Sequence, residues 1–109
     1  MTMHPSEAEI QAEVLRILGA RPDLRLWRAN TGAAIDPHTH RLIRFGLPGQ
    51  ADLSGILAGG KRLEIEIKSA RGRQTQEQLF FGTMIARFGG LYVVVHSLQD
   101  ALAAIEEVL

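Results

Sequence analysis

A length of 109 residues and a hydrophobic fraction of 46% predict one folded domain spanning 1–109, and they exclude both extended disorder and a second core. The absence of cysteine excludes disulfides, thiolate metal sites and cysteine nucleophiles. The 12 basic residues balance the 12 acidic ones, which argues against a nonspecific nucleic-acid binder, and no apolar run is long enough to cross a bilayer.

The chain opens with a predicted helix that is followed by a predicted strand. Residues 6–9, Ser-Glu-Ala-Glu, fit a capping box with the serine as N-cap, and Gly19 ends the helix. Residues 24–29 have the pattern of a strand. Residues 30–50 contain several glycines and prolines, so we expect loops and a short ribbon there, with 41–45 as one strand of a hairpin.

The rest of the chain predicts a sheet with helices packed on it. Residues 51–57 and 61–69 form two consecutive strands joined by a glycine turn, and the second alternates apolar with charged side chains. A capping box at 75–78 begins a helix, 91–95 is a buried strand, and Ser97 caps the last helix. The order α-β-(β)-β-β-α-β-α indicates the α/β class, an α+β arrangement with a mixed sheet.

The two central strands bring a pair of carboxylates together. If their turn is centred on Gly59, Asp52 lies directly opposite Glu66, with Cβ atoms about 4.5–5.5 Å apart, whereas a two-residue turn moves the pair one place out of register. Carboxylates at this spacing repel each other and favour a bound hard cation, for which Mg²⁺ is the natural candidate. Lys68 projects from the same face, and the three residues would support metal-assisted hydrolysis of a phosphodiester.

An ordinary half-exposed amphipathic strand is the alternative explanation for the Glu-Ile-Glu-Ile-Lys run at 64–68. Asp52 argues for the functional interpretation, because aspartate is disfavoured within strands and no turn adjoins it. The stretch 41–73 holds seven of the 12 basic residues and only three acids, which suits a phosphate substrate or an ordinary solvated surface. These basic residues are Arg41, Arg44, Lys61, Arg62, Lys68, Arg71 and Arg73.

Two runs of sequence carry a resemblance to a known family. FGLPGQADLSGI at 45–56 and LEIEIKS at 63–69 resemble the VRR-NUC family (virus-type replication-repair nuclease), which belongs to the PD-(D/E)xK nuclease superfamily. The resemblance continues at 6–11, at 30–32, and in the glycine pair before the valine-rich strand, so it covers nearly the whole chain, as in a stand-alone phage or bacterial member. Ala51 replaces the proline of the superfamily name, a residue that is not a metal ligand.

The resemblance implies a fold and a catalytic centre. The fold is a restriction-endonuclease-like core of order αβββαβ, with an extra hairpin strand and a C-terminal helix. The centre comprises a helix glutamate, Asp52, Glu66 and Lys68, with the metal held by the three carboxylates. Glu7 and Glu9 compete for the first position: helical geometry points Glu7 at the sheet, whereas Glu9 has a capping role. The alternative for Glu7 is a favourable charge at a helix N-terminus.

Several further residues are candidates for the site. Gln78 matches a family glutamine that approaches the catalytic centre, and its place in the 75–78 capping box explains it equally well. Asn30 and Gln50 are candidate phosphate or water contacts, although both residue types are common in turns. Four arginines are candidate DNA-backbone contacts, with a solvated loop as the alternative: Arg41, Arg44, Arg71 and Arg73.

Four residues that invite a functional interpretation receive a structural one. His38 and His40 would share one face of a strand, but we interpret them as an exposed hairpin tip rather than a metal site. Trp27 and Phe45 are expected in the core rather than as base-stacking platforms.

The sequence thus leads to a Mg²⁺-dependent DNA endonuclease, with Mn²⁺ as a substitute and no nucleotide cofactor. The resemblance suggests branched DNA, such as a four-way junction, as the substrate, and two symmetric cuts imply a homodimer. We expect a cytoplasmic protein of a bacterial or phage-infected cell, acting in DNA repair without a membrane partner. The alternatives are a catalytically idle DNA-binding or assembly module and a nuclease for single-stranded or nicked DNA.

Overall fold

The computed structural model of the protein describes residues 4–29 and 32–109. The elements are α1 Glu7–Gly19, β1 Leu24–Arg28, β2 Gly32–Ile35, β3 Leu42–Phe45, β4 Leu53–Leu57, β5 Arg62–Ile67, α2 Gln76–Arg87, β6 Leu91–Val95 and α3 Leu98–Val108. The protein is therefore mixed α/β, as the sequence predicts. In the described ranges, no helix combines the length and the apolar character needed to span a membrane.

Four strands form a mixed sheet in the order β1-β4-β5-β6. The pairs β1–β4 and β4–β5 are antiparallel, and β5–β6 is parallel. A parallel pair needs a long crossover, and α2 provides it between β5 and β6. The central position of β5 is what fixes the site, because both of its edges and both of its faces are occupied.

The two faces of the sheet are covered by different helices. α1 and α3 pack on one face, where Val14, Leu53, Ile65 and Ile105 are fully buried. The other face, which we call the α2 face, lies against α2, with Phe81 packed among its buried residues. β5 is buried on both faces, so the half-exposed amphipathic strand offered as the alternative for 64–68 is wrong.

The turn between β4 and β5 sets the register on which the paired carboxylates depend. Gly59 and Gly60 both have positive φ angles, of 97° and 94°, which other residues rarely adopt. The turn is centred on Gly59, since Ile56 pairs with Arg62 and the Leu57 N–H donates to the Lys61 carbonyl at 2.8 Å. The predicted register is confirmed, and its extension by one pair beyond Leu53–Ile65 sets Asp52 opposite Glu66.

Helix starts follow the predicted capping pattern. The Ser6 hydroxyl accepts from the Glu9 N–H, and the Glu9 carboxylate accepts from the Ser6 N–H. α2 begins with the same reciprocal pair, between Thr75 and Gln78. Ser97 caps α3 through a hydroxyl that accepts from the Asp100 N–H. All three predicted N-caps are confirmed.

β2 and β3 form a separate two-stranded sheet, here called the arm. The sequence predicts one of these strands, at 41–45, but not its partner, and every residue of both strands is exposed. Phe45, expected in the core, is 38% exposed on the arm, so that prediction is wrong. The Asp36 carboxylate accepts from the His38 N–H at 2.7 Å and tightens the turn, which confirms the exposed hairpin tip.

Candidate active site

Two carboxylates hold the end of β5 beyond the point where β4 stops pairing with it. The Asp52 Oδ2 atom accepts from the Ile67 N–H at 2.8 Å, and the Glu7 Oε2 atom accepts from the Ser69 N–H at 3.0 Å. The intervening N–H of Lys68 faces the other way and donates to the Val95 carbonyl of β6 at 3.0 Å. Side chains thus replace the main-chain acceptors that the diverging strand no longer supplies.

Asp52 does not stand where the sequence places it. It lies one residue before β4, at a bend, rather than inside the predicted strand 51–57. The prediction that Asp52 lies inside a strand is therefore wrong, because β4 is shorter than its apolar pattern indicates. The Ala29 N–H still donates to the Asp52 carbonyl at 3.0 Å, which keeps Asp52 beside the sheet.

Glu66 is a carboxylate with too little solvation for a charged group. The residue is only 3% exposed. Its Oε1 atom accepts from the Gln78 Nε2 atom at 3.0 Å and lies 3.8 Å from the Lys68 Nζ atom. Its Oε2 atom has no hydrogen-bond partner in the described part of the chain. Because a buried charge needs several partners, this oxygen marks a place for a further positive group.

The pKa of Glu66 is raised to about 8. Burial is the largest cause, and repulsion from the nearby Asp52 carboxylate raises the pKa further. Glu7 raises this pKa further, while the Lys68 ammonium lowers it without compensating. The protein's own groups therefore leave the pair short of positive charge, and a cation bound there would bring the pKa back down.

Gln78 makes both of the contacts that the sequence offers as alternatives, one in the cap of α2 and one with Glu66. Its Oε1 atom accepts from the Thr75 N–H at 2.9 Å, which completes the cap of α2. Its Nε2 atom donates to Glu66. The side chain thereby ties the first turn of α2, the positive end of a helix dipole, to the buried carboxylate.

The choice between Glu7 and Glu9 is resolved by their contacts. Glu9 is engaged in the α1 cap, whereas Glu7 reaches the end of β5. A Cβ added at Gly72 would lie 3.3 Å from both the Glu7 Oε2 atom and the Lys68 side chain, so Glu7 and Lys68 share a neighbour. However, no group of three Asp, Glu or His side chains within 4–29 and 32–109 converges closely enough to hold a metal ion. The carboxylates of Glu7 and Asp52 each accept from a different N–H of β5, at Ser69 and at Ile67.

The remaining predicted residues divide into a near group and a distant group. Arg71 and Arg73 are exposed on either side of Gly72 and so lie close to Lys68. Arg44 lines a cleft of about 500 Å³ at the root of the arm, and Arg41 lies near the arm's tip. The structure does not gather the four arginines into one cluster beside the carboxylate pair.

The two amide residues have different outcomes. The Gln50 Oε1 atom accepts from the Leu47 N–H at 3.1 Å, as expected of a turn residue. Asn30 lies outside the described residues.

The sequence does not predict the environments of three residues near the carboxylate pair. Glu64, expected at a half-exposed surface, is 1% exposed and accepts from the Arg62 Nη2 atom at 3.3 Å. Trp27, expected in the core, is 45% exposed on the α2 face, so that prediction is wrong. The His96 Nδ1 atom lies 3.1 Å from the Ser69 carbonyl. The position of His96 directly after a strand parallel to β5 could have revealed it, because parallel strands end at the same edge of a sheet.

The site therefore consists of a buried, unsatisfied carboxylate opposite a second carboxylate, with one ammonium group and one amide beside it. This arrangement suits the capture of a hard cation together with an anionic substrate. Comparison of the chain with protein-family models, with curated proteins and with solved structures finds no match.

Proposed function

We propose that the protein is a Mg²⁺-dependent nuclease that hydrolyses phosphodiester bonds in DNA and has the PD-(D/E)xK core. One observation carries the proposal: Glu66 is buried with an unpartnered Oε2 atom, opposite Asp52 and beside Lys68. A purely structural strand has no need to bury one carboxylate opposite another, since the repulsion of the pair and the desolvation of Glu66 both destabilise the fold.

Asp52 and Glu66 would hold the cation. Mg²⁺ is commonly bound by one or two carboxylates together with phosphate oxygens and water, so two ligands are sufficient. When bound, such an ion neutralises phosphate charge and lowers the pKa of a water molecule. Mn²⁺ accepts the same oxygen ligands.

The chain's own side chains would then position and stabilise the reacting groups. The Lys68 side chain is only 12% exposed, so its ammonium acts with little screening on the charge that develops on the phosphate. Gln78 fixes the orientation of Glu66 through its hydrogen bond. Asp52 and Glu7 fix the backbone on either side of Lys68 by holding the N–H groups of Ile67 and Ser69.

The order of elements supports the family resemblance. α1, β1, β4, β5, α2 and β6 follow the αβββαβ order, with the arm inserted between β1 and β4 and α3 after the core. Arg71 and Arg73, which are exposed on either side of Gly72, would contact the DNA backbone next to Lys68, and Arg44 would contact it at the arm. Branched DNA and a homodimer, the substrate and the assembly that the resemblance suggests, belong to the same proposal.

A catalytically idle DNA-binding module is the second candidate. It is favoured by the fact that Asp52 and Glu7 each already have a structural partner on β5. Such a module would bind DNA without cutting it under any metal.

The test is a cleavage assay on four-way junction, flap, linear duplex and single-stranded DNA, with Mg²⁺, Mn²⁺ or EDTA. We expect metal-dependent cleavage that Lys68→Ala abolishes, while Glu13→Gln, an exposed acid on α1, leaves it unchanged. Cleavage that persists in EDTA or in Lys68→Ala would refute the mechanism. Equal cleavage of junction and linear duplex would refute the branched preference alone, and binding without cleavage would identify the idle module.

A further inference from the structure

The α2 face is covered on one side only. α2 packs over β6, where a Cβ at Gly82 would collide with the Tyr92 ring, and it reaches β5 through the bond from Gln78 to Glu66. On β1 and β4 the same face is partly open in the described residues: Trp27 and Ile56 are 45% and 41% exposed, whereas Ser54 is buried. Trp27 is the single tryptophan of the sequence. A large aromatic side chain therefore lies uncovered on the face that carries the carboxylate pair.

Arg62 holds a fixed position over this tryptophan. Its guanidinium carbon lies 5.9 Å from the centre of the Trp27 ring, within the range of a cation–π contact. The Arg62 Nη2 atom is anchored 3.3 Å from the Glu64 Oε1 atom, and Glu64 is buried. Because Glu64 is buried, the Arg62 guanidinium and the Trp27 ring are the groups that this pair presents at the surface.

The register places Trp27 close to the carboxylate pair. Trp27 pairs with Ser54, and Asp52 precedes Ser54 by two residues, just before β4 begins, opposite Glu66. Two residues along a strand and two strand spacings across it put the Trp27 and Glu66 backbones about 12 Å apart. Successive phosphates of one DNA strand rise about 3.4 Å along the helix axis, so Trp27 is within a few nucleotides of a phosphate held at Glu66.

We propose that Trp27, backed by Arg62, is a stacking platform for an unpaired nucleobase beside the phosphate that is cut. The proposal rests on the nuclease function and names its substrate class: DNA whose bases are unstacked at the cleavage site, at a branch point or in a single-stranded flank. Bases in a continuous duplex stack on one another, so none of them is free to stack on the Trp27 ring. A free base has a π-face for the tryptophan, and the guanidinium attracts the adjoining phosphate.

Intrinsic fluorescence tests the platform without cleavage, because Trp27 is the only tryptophan. The full-length protein in EDTA is titrated with a single-stranded oligonucleotide, a four-way junction, a linear duplex, and the single strand with abasic sites in place of its bases. We expect strong quenching with the first two and little with the last two. Trp27→Ala should weaken binding of the single strand roughly ten- to a hundredfold, whereas Trp27→Phe should retain most of it.

Ile56→Ala is the matched control, since Ile56 is exposed to the same degree on the same face, and it should bind like wild type. Quenching that is equal with abasic DNA, or an unchanged affinity in Trp27→Ala, would overturn the platform even if the protein cuts DNA. Quenching that appears when the protein is concentrated without DNA would identify an interface between copies of the chain. That result would also overturn the platform. Base-dependent quenching without cleavage under Mg²⁺ would leave the platform standing and reject the nuclease.

Discussion

Glu64 and Glu66 lie two residues apart on β5, and they differ in the group that faces each of them and in the distance to the nearest cation. Both lie on the α2 face, both are buried, and each has an Oε2 atom without a partner among the residues that the structure describes. Glu64 faces Ser54 across the sheet and has the Arg62 guanidinium at 3.3 Å. Glu66 faces Asp52, and its nearest cation, the Lys68 ammonium, lies at 3.8 Å. Burial is therefore common to both glutamates, and what separates them is the second carboxylate opposite Glu66 and the longer distance to its cation.

The largest expected difference between the two glutamates is in cleavage. Glu66→Gln removes a proposed cation ligand and should lower the rate of DNA cleavage by about 100-fold or more, a loss typical of removing one stabilising group from an active site. Glu64→Gln, its matched control two residues away, should keep cleavage within a few-fold of wild type. Cleavage rates of the two variants under saturating Mg²⁺ make the comparison. Equal losses would mean that the two carboxylates belong to one site.

The stability of the metal-free protein should depend on pH through Glu66. Its pKa is about 8 in the folded protein, above the ordinary value of 4.5, so between these values the folded state binds more protons than the unfolded state. Stability from this group is thus fully present below about pH 4.5 and is lost as pH rises to about 8, a change on the order of a few kcal/mol. Urea unfolding in EDTA at several pH values measures it.

Glu66→Gln should flatten that pH profile because the amide does not titrate, and at pH 8 it should be more stable than wild type. A slope that survives in Glu66→Gln would assign it to other groups.

A smaller effect is expected from the amide that links α2 to Glu66. Gln78→Ala removes the bond to Glu66 and the capping contact with Thr75, so the free energy of unfolding should fall by about 1 kcal/mol. Gln78→Glu keeps a capping acceptor but adds a third carboxylate to the pair. Chemical denaturation at pH 8 should therefore rank Gln78→Glu below Gln78→Ala in the absence of Mg²⁺. The reverse order would show that Gln78 stabilises the protein through the cap of α2 and not through Glu66.

Much of this site follows from the sequence, because its parts obey local rules. A glycine turn fixes a register, so the opposition of Asp52 and Glu66 could be predicted from the spacing around Gly59. The capping boxes begin α1 and α2 where the sequence predicts them. Helical periodicity also favours Glu7 over Glu9, as its contact with Ser69 shows.

The errors share one physical cause: alternation tells which residues share a face but not what covers that face. The sequence therefore could not tell that α2 leaves Trp27 open while it helps to bury Glu66. It also could not tell that Asp52 has left the strand and holds the Ile67 N–H with its side chain, because strand ends depend on tertiary contacts. The first strand of the arm could not be located for the same reason, since both strands of the arm are exposed and no buried face imposes a pattern on them.

The proposed cation site at Asp52 and Glu66 is tested most directly by asking whether Mg²⁺ binds at Glu66 and not at Glu64. Thermal unfolding is followed at pH 8 as Mg²⁺ is added to EDTA-treated wild type, Glu66→Gln and Glu64→Gln. A ligand that binds only the folded state stabilises it by about 2.7 kcal/mol at 100 times its dissociation constant. We expect a saturable rise in the unfolding midpoint for wild type and Glu64→Gln and none for Glu66→Gln. An equal rise in all three proteins, or none in wild type, would contradict it.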